Sequence, residues 1–372
     1  MRKIFVKPLF GAFPFYQDII NYPPENVFYV DTGTQTKQGE YYQNKKTKEF
    51  ANRLLNFLKI PRMMYVKPKD NRYQLIHSSR GILPLNRRPW VLDIEHVYSF
   101  TGLHDQLKYN KRIRRIIEKK LGSKYCKKIL CHCDATRRGF FRYLDCSKFK
   151  DKIIVSYPTV HRISLKKKKS KKIRILCVLS LFRHKAGIQA LKAFSKLEKK
   201  YNVELIMRAD VPPEVKSRFN SKNIIYQSYH GQILTREELL KKVYANADIF
   251  LYPSLCDSFG ASLLDAMCAD LPIVSTNLYA IPEIVTTNGI IVKIPGYRLE
   301  AGFIQEYLID KFSREDEENF VKDLANALEK LIKNKKLREN MSKESKRLTT
   351  TGKFSIAYRN KKLREIYEEA LK

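Results

Sequence analysis

No apolar stretch in this chain approaches 18 residues, so no segment reads as a membrane-crossing helix. Cysteine is sparse and odd in number, seven in 372 residues. Several lie inside apolar runs, such as Cys177 in ILCVLSL and Cys268 in LLDAMCA. That placement reads as reduced, buried thiols and argues against a disulfide framework. The first residues, MRKIFVKPLFGAF, are basic, but their apolar stretch is broken by Lys7 and Pro8 and makes a poor signal peptide. The expectation is a cytoplasmic protein. Paired metal-ligand spacing is also missing. Cys126 and the CHC at 131–133 do not come as two paired C-x2-4-C units, as a finger or ribbon requires, and DIE at 93–95 is the nearest approach to a D-x-D pair, so no metal site is expected. Acids are few: 38 Asp and Glu stand against 72 Lys and Arg, a net charge of +34. This imbalance favours polyanionic partners such as nucleic acid, an anionic membrane face or phosphorylated substrates, and carries no information about fold.

What the chain does have suits a folded protein. Its residues are 44% hydrophobic and 12% aromatic, and its length accommodates two domains with separate cores. Low complexity occurs once, in LKKKKSKK at 165–172, a self-repelling solvated run that reads as a linker. Before it, strand-like runs (KIFVKPLF, NVFYVDT, RPWVLDIEHV, KKILCHC) alternate with helical stretches. One of these, KTKEFANRLLNFLKI at 46–60, sets Phe50, Leu54 or Leu55, and Leu58 on one face. After it the alternation is sharper: IRILCVLSL, GIQALKAFSKLEKKY, VELIMRA, EELLKKVYANA, DIFLYPS, SFGASLLDAMCA, PIVSTN. The pattern predicts parallel sheets with helices on both faces, in two Rossmann-like domains facing a cleft, with ligands at the carboxyl ends of the strands. The expected division is 1–165, a linker at 166–172, a second domain at 173–345, and a closing helix at 346–372.

Two acids frame the most informative stretch. Asp257 falls in the loop after DIFLYPS, and Asp265 stands eight residues on in the helix that follows. Eight helical residues span about 12 Å, the reach from one end of a sugar diphosphate to the ribose of its nucleoside. Gly260 permits close backbone approach, and the helix start from Ser258 and Phe259 presents N–H groups that favour phosphate. Read without context, Asp257 is a loop or capping acid and Asp265 a solvated helix position.

The full string PSLCDSFGASLLDAMCADLPIVST resembles the donor-binding signature of retaining GT-B glycosyltransferases of family 4, E-x-FG-x4-EAM-x-x-G-x-P-V-V. Asp257 and Asp265 stand at the two Glu positions; Phe259, Gly260, Ala266, Met267 and Pro272 match outright. HKAGIQALKAF is similar to the family's lysine element and puts Lys185 at the phosphate-binding lysine. CDATRRGFF, HGQI, IPEIV, NGIIV and FSIAY…IYEEAL resemble further family segments in order. Residues 1–125 match only in pattern. The chain departs from the family at several points: both Glu are Asp, the two motif glycines are Ala186 and Asp270, and the usual Arg is Ser180, with Arg183 the nearest substitute.

The resemblance implies a GT-B fold whose C-terminal helix crosses back to the N-terminal domain. It also implies transfer of a hexose from a nucleotide-sugar donor with retention, independent of metal or cofactor. Lys185, with Arg183, would stabilise the leaving diphosphate; Asp257 would hold donor-sugar hydroxyls, Asp265 the ribose, and Ser258, Phe259 and Gly260 the phosphate. By similarity His96 would face the donor sugar from the acceptor side, with Glu95 its neighbour; by itself it reads as a strand-end histidine bonded to backbone. His77 in LIHSS reads as structural.

The basic segment KYNKRIRRIIEKK could lie on an anionic membrane, line a nucleic-acid groove, or be a solvated helix. The leading expectation is a peripheral enzyme at the inner face of a membrane, acting on a cell-envelope, lipid-linked or protein-linked acceptor glycan. The alternatives are a nucleic-acid-modifying glycosyltransferase and a non-catalytic basic binding protein with the same fold.

Overall fold

A computed structural model describes residues 3–10, 13–32, 60–67, 69–102, 110–167, 170–297 and 312–372. The helix expected over 46–60 lies outside them. The chain divides into two compact units, one formed by residues 1–161 with 353–372, the other by 162–352.

The first unit is built on a six-stranded parallel sheet. Its strands are β1 (Ile4–Leu9), β2 (Val27–Tyr29), β4 (Leu75–Ser79), β6 (Trp90–Ile94), β7 (Cys126–Cys131) and β8 (Ile153–Val155). They lie in the order β2-β1-β4-β6-β7-β8, while the short β3 (Met63–Met64) and β5 (Leu83–Pro84) pair separately. Every residue of β4 and β6 is buried, as expected of central parallel strands covered on both faces. The basic segment forms the helix Lys111–Leu121, started by Asn110, whose side chain accepts from the Ile113 N–H. Ile113, Ile117 and Leu121 are buried in this unit's own core and Ile116 is half-buried, so most of the apolar side of that helix is already used and its outer side is mainly charged.

The closing helix Ile356–Ala370 belongs to this first unit. The Tyr367 hydroxyl lies 2.6 Å from His77 Nδ1 on β4 and 2.9 Å from the Tyr29 hydroxyl on β2, and Arg359 donates to the Tyr22 carbonyl at 2.6 Å. Beside them Asp93 on β6 contacts His132 and accepts from the Tyr16 hydroxyl at 3.2 Å. Burial pushes His77 down to about 4, so it stays neutral, whereas Asp93 outweighs burial at His132 and raises that imidazole.

The second unit holds β9 (Ile173–Leu179), β10 (Val203–Ala209), β11 (Ile224–Gln227), β12 (Ile249–Tyr252), β13 (Ile273–Thr276) and β14 (Gly289–Val292). All are parallel, in the order β11-β10-β9-β12-β13-β14. The chain runs outward from β9 to one edge, returns to β12 beside it, and runs outward to the other edge. β9 and β12 therefore flank the point where strand order reverses, the ligand-binding position of open α/β sheets. The loops leaving these two strands carry Lys185 and Asp257.

Replacing Tyr367 by Phe should destabilise the protein by about 1–3 kcal/mol, because it leaves buried His77 Nδ1 without its partner; urea denaturation reads this directly. The lowered His77 value also has a defined sign. Between its ordinary value of 6.5 and about 4 only the unfolded chain binds the proton, so its contribution to stability is lost as pH falls through that window. Denaturation midpoints across pH 4–7 should show that loss reduced in His77→Asn.

Candidate functional site

The loop after β9 closes by backbone bonds from the Lys185 N–H to the Leu181 carbonyl (3.0 Å) and from the Gly187 N–H to the Phe182 carbonyl (2.8 Å). Gly187 is required there, since a Cβ would sit 2.2 Å from the Phe182 ring. Ala186 adopts φ 52°, a left-handed conformation that disfavours any side chain. Asp270, after the helix Ala261–Cys268, has φ 54°. Both positions where the motif carries glycine thus keep glycine-like backbone with another residue in place. The Asp270 carboxylate meets Arg162 at 2.7 Å.

This loop aims Lys185 at β12. Its ammonium, in a side chain only 10% exposed, donates to the Tyr252 hydroxyl at 2.6 Å and to Asp257 Oδ2 at 2.8 Å. The Tyr252 hydroxyl in turn donates to Asp257 Oδ2. The other oxygen, Oδ1, accepts from the N–H groups of Phe259 (3.0 Å) and Gly260 (2.7 Å). Gly260 has φ 90°, and a Cβ on it would lie 2.8 Å from Leu263 Cδ1. Asp257 is therefore bonded at both oxygens. The lysine and two of the amides expected to meet a phosphate are engaged by this carboxylate.

The electrostatics follow from that geometry. Burial by itself would raise the Asp257 carboxyl, but the Lys185 charge and the hydrogen bonds from Lys185, Tyr252 and the Phe259 N–H hold it below the ordinary carboxylate value. Burial would lower the Lys185 ammonium; Asp257 and Tyr252 outweigh it and hold it above the usual lysine range. Burial and the neighbouring Asp257 both raise the Tyr252 phenol. The pair is ionised, and the tyrosine between them is neutral.

The helix starts at Ala261, not at Ser258 or Phe259, because Gly260 turns left-handed before it; Asp265 shares a side with Ala261 and Ser262, four and three residues earlier. Arg236, the first residue of the helix Arg236–Lys242, donates from Nε to Asp265 Oδ1 at 2.8 Å. Arg183 is exposed in the β9 loop. His96, in the first unit, is buried; its Nδ1 accepts from the Tyr98 N–H at 3.0 Å and caps a short 3₁₀ turn. Cys133 caps the helix Asp134–Tyr143 in the same manner.

Sequence reasoning missed three residues. Tyr252 is hidden in the apolar run IFLY, and Arg236 resembles any surface cation at a helix start. Arg208 carried a usable signal, a charge inside the strand VELIMRA. It is 3% exposed, donates from Nη2 to the Gln232 carbonyl at 2.6 Å, and its Nη1 meets no acceptor among the described residues.

The sequence of the second unit matches the family model described as glycosyl transferases group 1 over residues 161–348, slightly more than half of the chain. The chain belongs to that family. Two solved structures align with nearly all of the group 1 chain. Anabaena HepE, crystallised with UDP and glucose, has a TM-score of 0.62 at 11% identity, over 98% of this chain and 99% of HepE. The lipopolysaccharide outer core galactosyltransferase WaaB, in its apo form, has a TM-score of 0.53 at 12% identity, over 98% of this chain and 100% of WaaB. At such identities they show the fold alone: it is GT-B, two α/β units each on a parallel sheet. A curated relative, O-antigen chain mannosyltransferase B of Escherichia coli, is 38% identical over 55 residues, 15% of this chain and 14% of the relative.

Two predictions concern this site. Lys185→Met leaves a largely buried carboxylate without its cation and should destabilise by about 3 kcal/mol or more, whereas Lys185→Met with Asp257→Asn should be much milder than the sum of the singles; a double-mutant denaturation cycle measures the coupling. The depressed Asp257 carboxyl makes the pair's contribution present above the ordinary carboxylate value and lost as pH falls through its own lower one. Ala186→Gly should stabilise by up to about 1 kcal/mol, the left-handed strain relieved less the added freedom of the unfolded chain; a shift in urea midpoint at unchanged slope is the expected readout.

Proposed function

We propose that this protein is a retaining glycosyltransferase that moves a hexose from a nucleotide-sugar donor to a cell-envelope, lipid-linked or protein-linked acceptor. The observation that carries the reading is the Lys185–Asp257 pair, set on the two loops that leave β9 and β12 at the reversal of strand order. A buried cation beside a helix start is suited to a diphosphate. The donor's phosphate displaces the Asp257 carboxylate from Lys185. As the glycosidic bond breaks, negative charge gathers on the β-phosphate, and the ammonium is already in place to meet it. The start of the helix Ala261–Cys268 adds N–H groups and the positive end of its dipole. Asp257, released from Lys185, accepts from donor-sugar hydroxyls. Asp265, oriented by Arg236, accepts from the ribose. Arg183 adds charge at the loop.

The relatives support this reading by their own descriptions: HepE holds UDP and glucose, and the other two act on lipopolysaccharide core and O-antigen. His96 keeps the role of the histidine that faces the donor sugar from the acceptor side: its Nδ1 accepts from the Tyr98 N–H, which puts the ring proton on Nε2. No helix among the described residues is long and apolar enough to cross a membrane. The +34 charge, including the outer side of the helix Lys111–Leu121, supports peripheral contact with an anionic inner membrane surface.

Thermal unfolding against a panel of nucleoside diphosphates and nucleotide sugars, with and without EDTA, tests the donor site. A ligand at a hundred times its dissociation constant stabilises by about 2.7 kcal/mol. One nucleotide should shift the transition regardless of EDTA and lose its effect in Asp265→Ala. Silence across the whole panel would leave a basic binding protein on a GT-B fold.

A further inference from the structure

Phosphate binding at Lys185 has an electrostatic cost for its partner. When a donor phosphate takes Lys185, Asp257 loses its cation while remaining in a largely buried position. A buried carboxylate that loses its partner tends to reprotonate or swing away, and either would remove it from the sugar.

The structure holds a group placed for this exchange. Tyr252, the last residue of β12, is fully buried, and its ring lies under the Lys185 ammonium, 5.0 Å from centroid to nitrogen. Its hydroxyl uses both of its capacities within the pair, accepting from Lys185 at 2.6 Å and donating to Asp257 Oδ2. The strand backbone fixes the ring, and Phe250 stacks on it at 5.9 Å. We propose that Tyr252 is a positioning residue of the donor site: its hydroxyl keeps Asp257 in place while Lys185 exchanges that carboxylate for a donor phosphate.

Three hydrogen bonds then remain to Asp257 after the exchange: from the Tyr252 hydroxyl, and from the N–H groups of Phe259 and Gly260. The arrangement needs an aspartate. A carboxylate that bonds the N–H groups two and three residues ahead closes a ring that Asp fits and the longer Glu does not. The shorter acid at the motif's first carboxylate position and the hydroxyl beneath it form one device. In Tyr252→Phe the direct Lys185–Asp257 bond survives, so the unliganded pair stays closed, and releasing the lysine leaves Asp257 with two bonds.

The proposal rests on the donor-site reading above, and the test separates the two. Full-length wild type and Tyr252→Phe are titrated calorimetrically with the nucleoside diphosphate that stabilises the wild type most, and with the same nucleoside lacking phosphates. Unliganded melting curves are recorded for both. Diphosphate affinity should fall severalfold in the variant, because the hydroxyl's bond to Asp257 strengthens once that carboxylate has lost the lysine charge, while nucleoside affinity stays within about twofold. Equal losses for both ligands, with a lowered melting temperature, would make the hydroxyl a general packing element and overturn the assignment. Unchanged diphosphate affinity would overturn it as well. A wild type that binds no nucleotide defeats the donor-site reading itself, and the role of Tyr252 with it.

Discussion

The second unit is organised around an ion pair that could not exist without its sheet. Lys185 and Asp257 lie 72 residues apart in the chain and meet because β9 and β12 are neighbours where strand order reverses. Neither charge is freely solvated, so each needs the other, and the hydroxyl between them completes the set. The left-handed turn at Ala186, the close approach of Gly187 to Phe182 and the positive φ of Gly260 all serve to bring two loops to this one contact.

Much of this was legible in the sequence, for physical reasons. The strands of the second unit are short apolar runs separated by helices of regular period, and their alternation is what a parallel sheet covered on both faces requires. The carboxylates and the lysine are singled out by the resemblance of their segments to a known signature, which spacing by itself would not have done. What escaped was pairing at a distance. Tyr252 adds a hydroxyl to a strand without altering its hydropathy, and Arg236 finds Asp265 across 29 residues. The backbone bond of His96 is one of its two sequence readings, a strand-end histidine bonded to backbone.

The first unit shows the same limit in another form. Its buried strands β4 and β6 carry His77 and Asp93, and both meet groups from outside the sheet. The helix Ile356–Ala370 reaches His77 through Tyr367, 290 residues away in the chain. The basic helix Lys111–Leu121 has an amphipathic period that fits a membrane surface and a protein core equally well; burial of Ile113, Ile117 and Leu121 shows that most of its apolar side serves the core.

The left-handed alanine has a consequence beyond its strain. A glycine at position 186 would let the loop sample mirror-image backbone states that a methyl group forbids. With alanine the opened loop has fewer conformations than with glycine, which offsets part of the strain that the closed turn carries. A residue unfavourable to the folded backbone thereby narrows the set of states from which the loop must close.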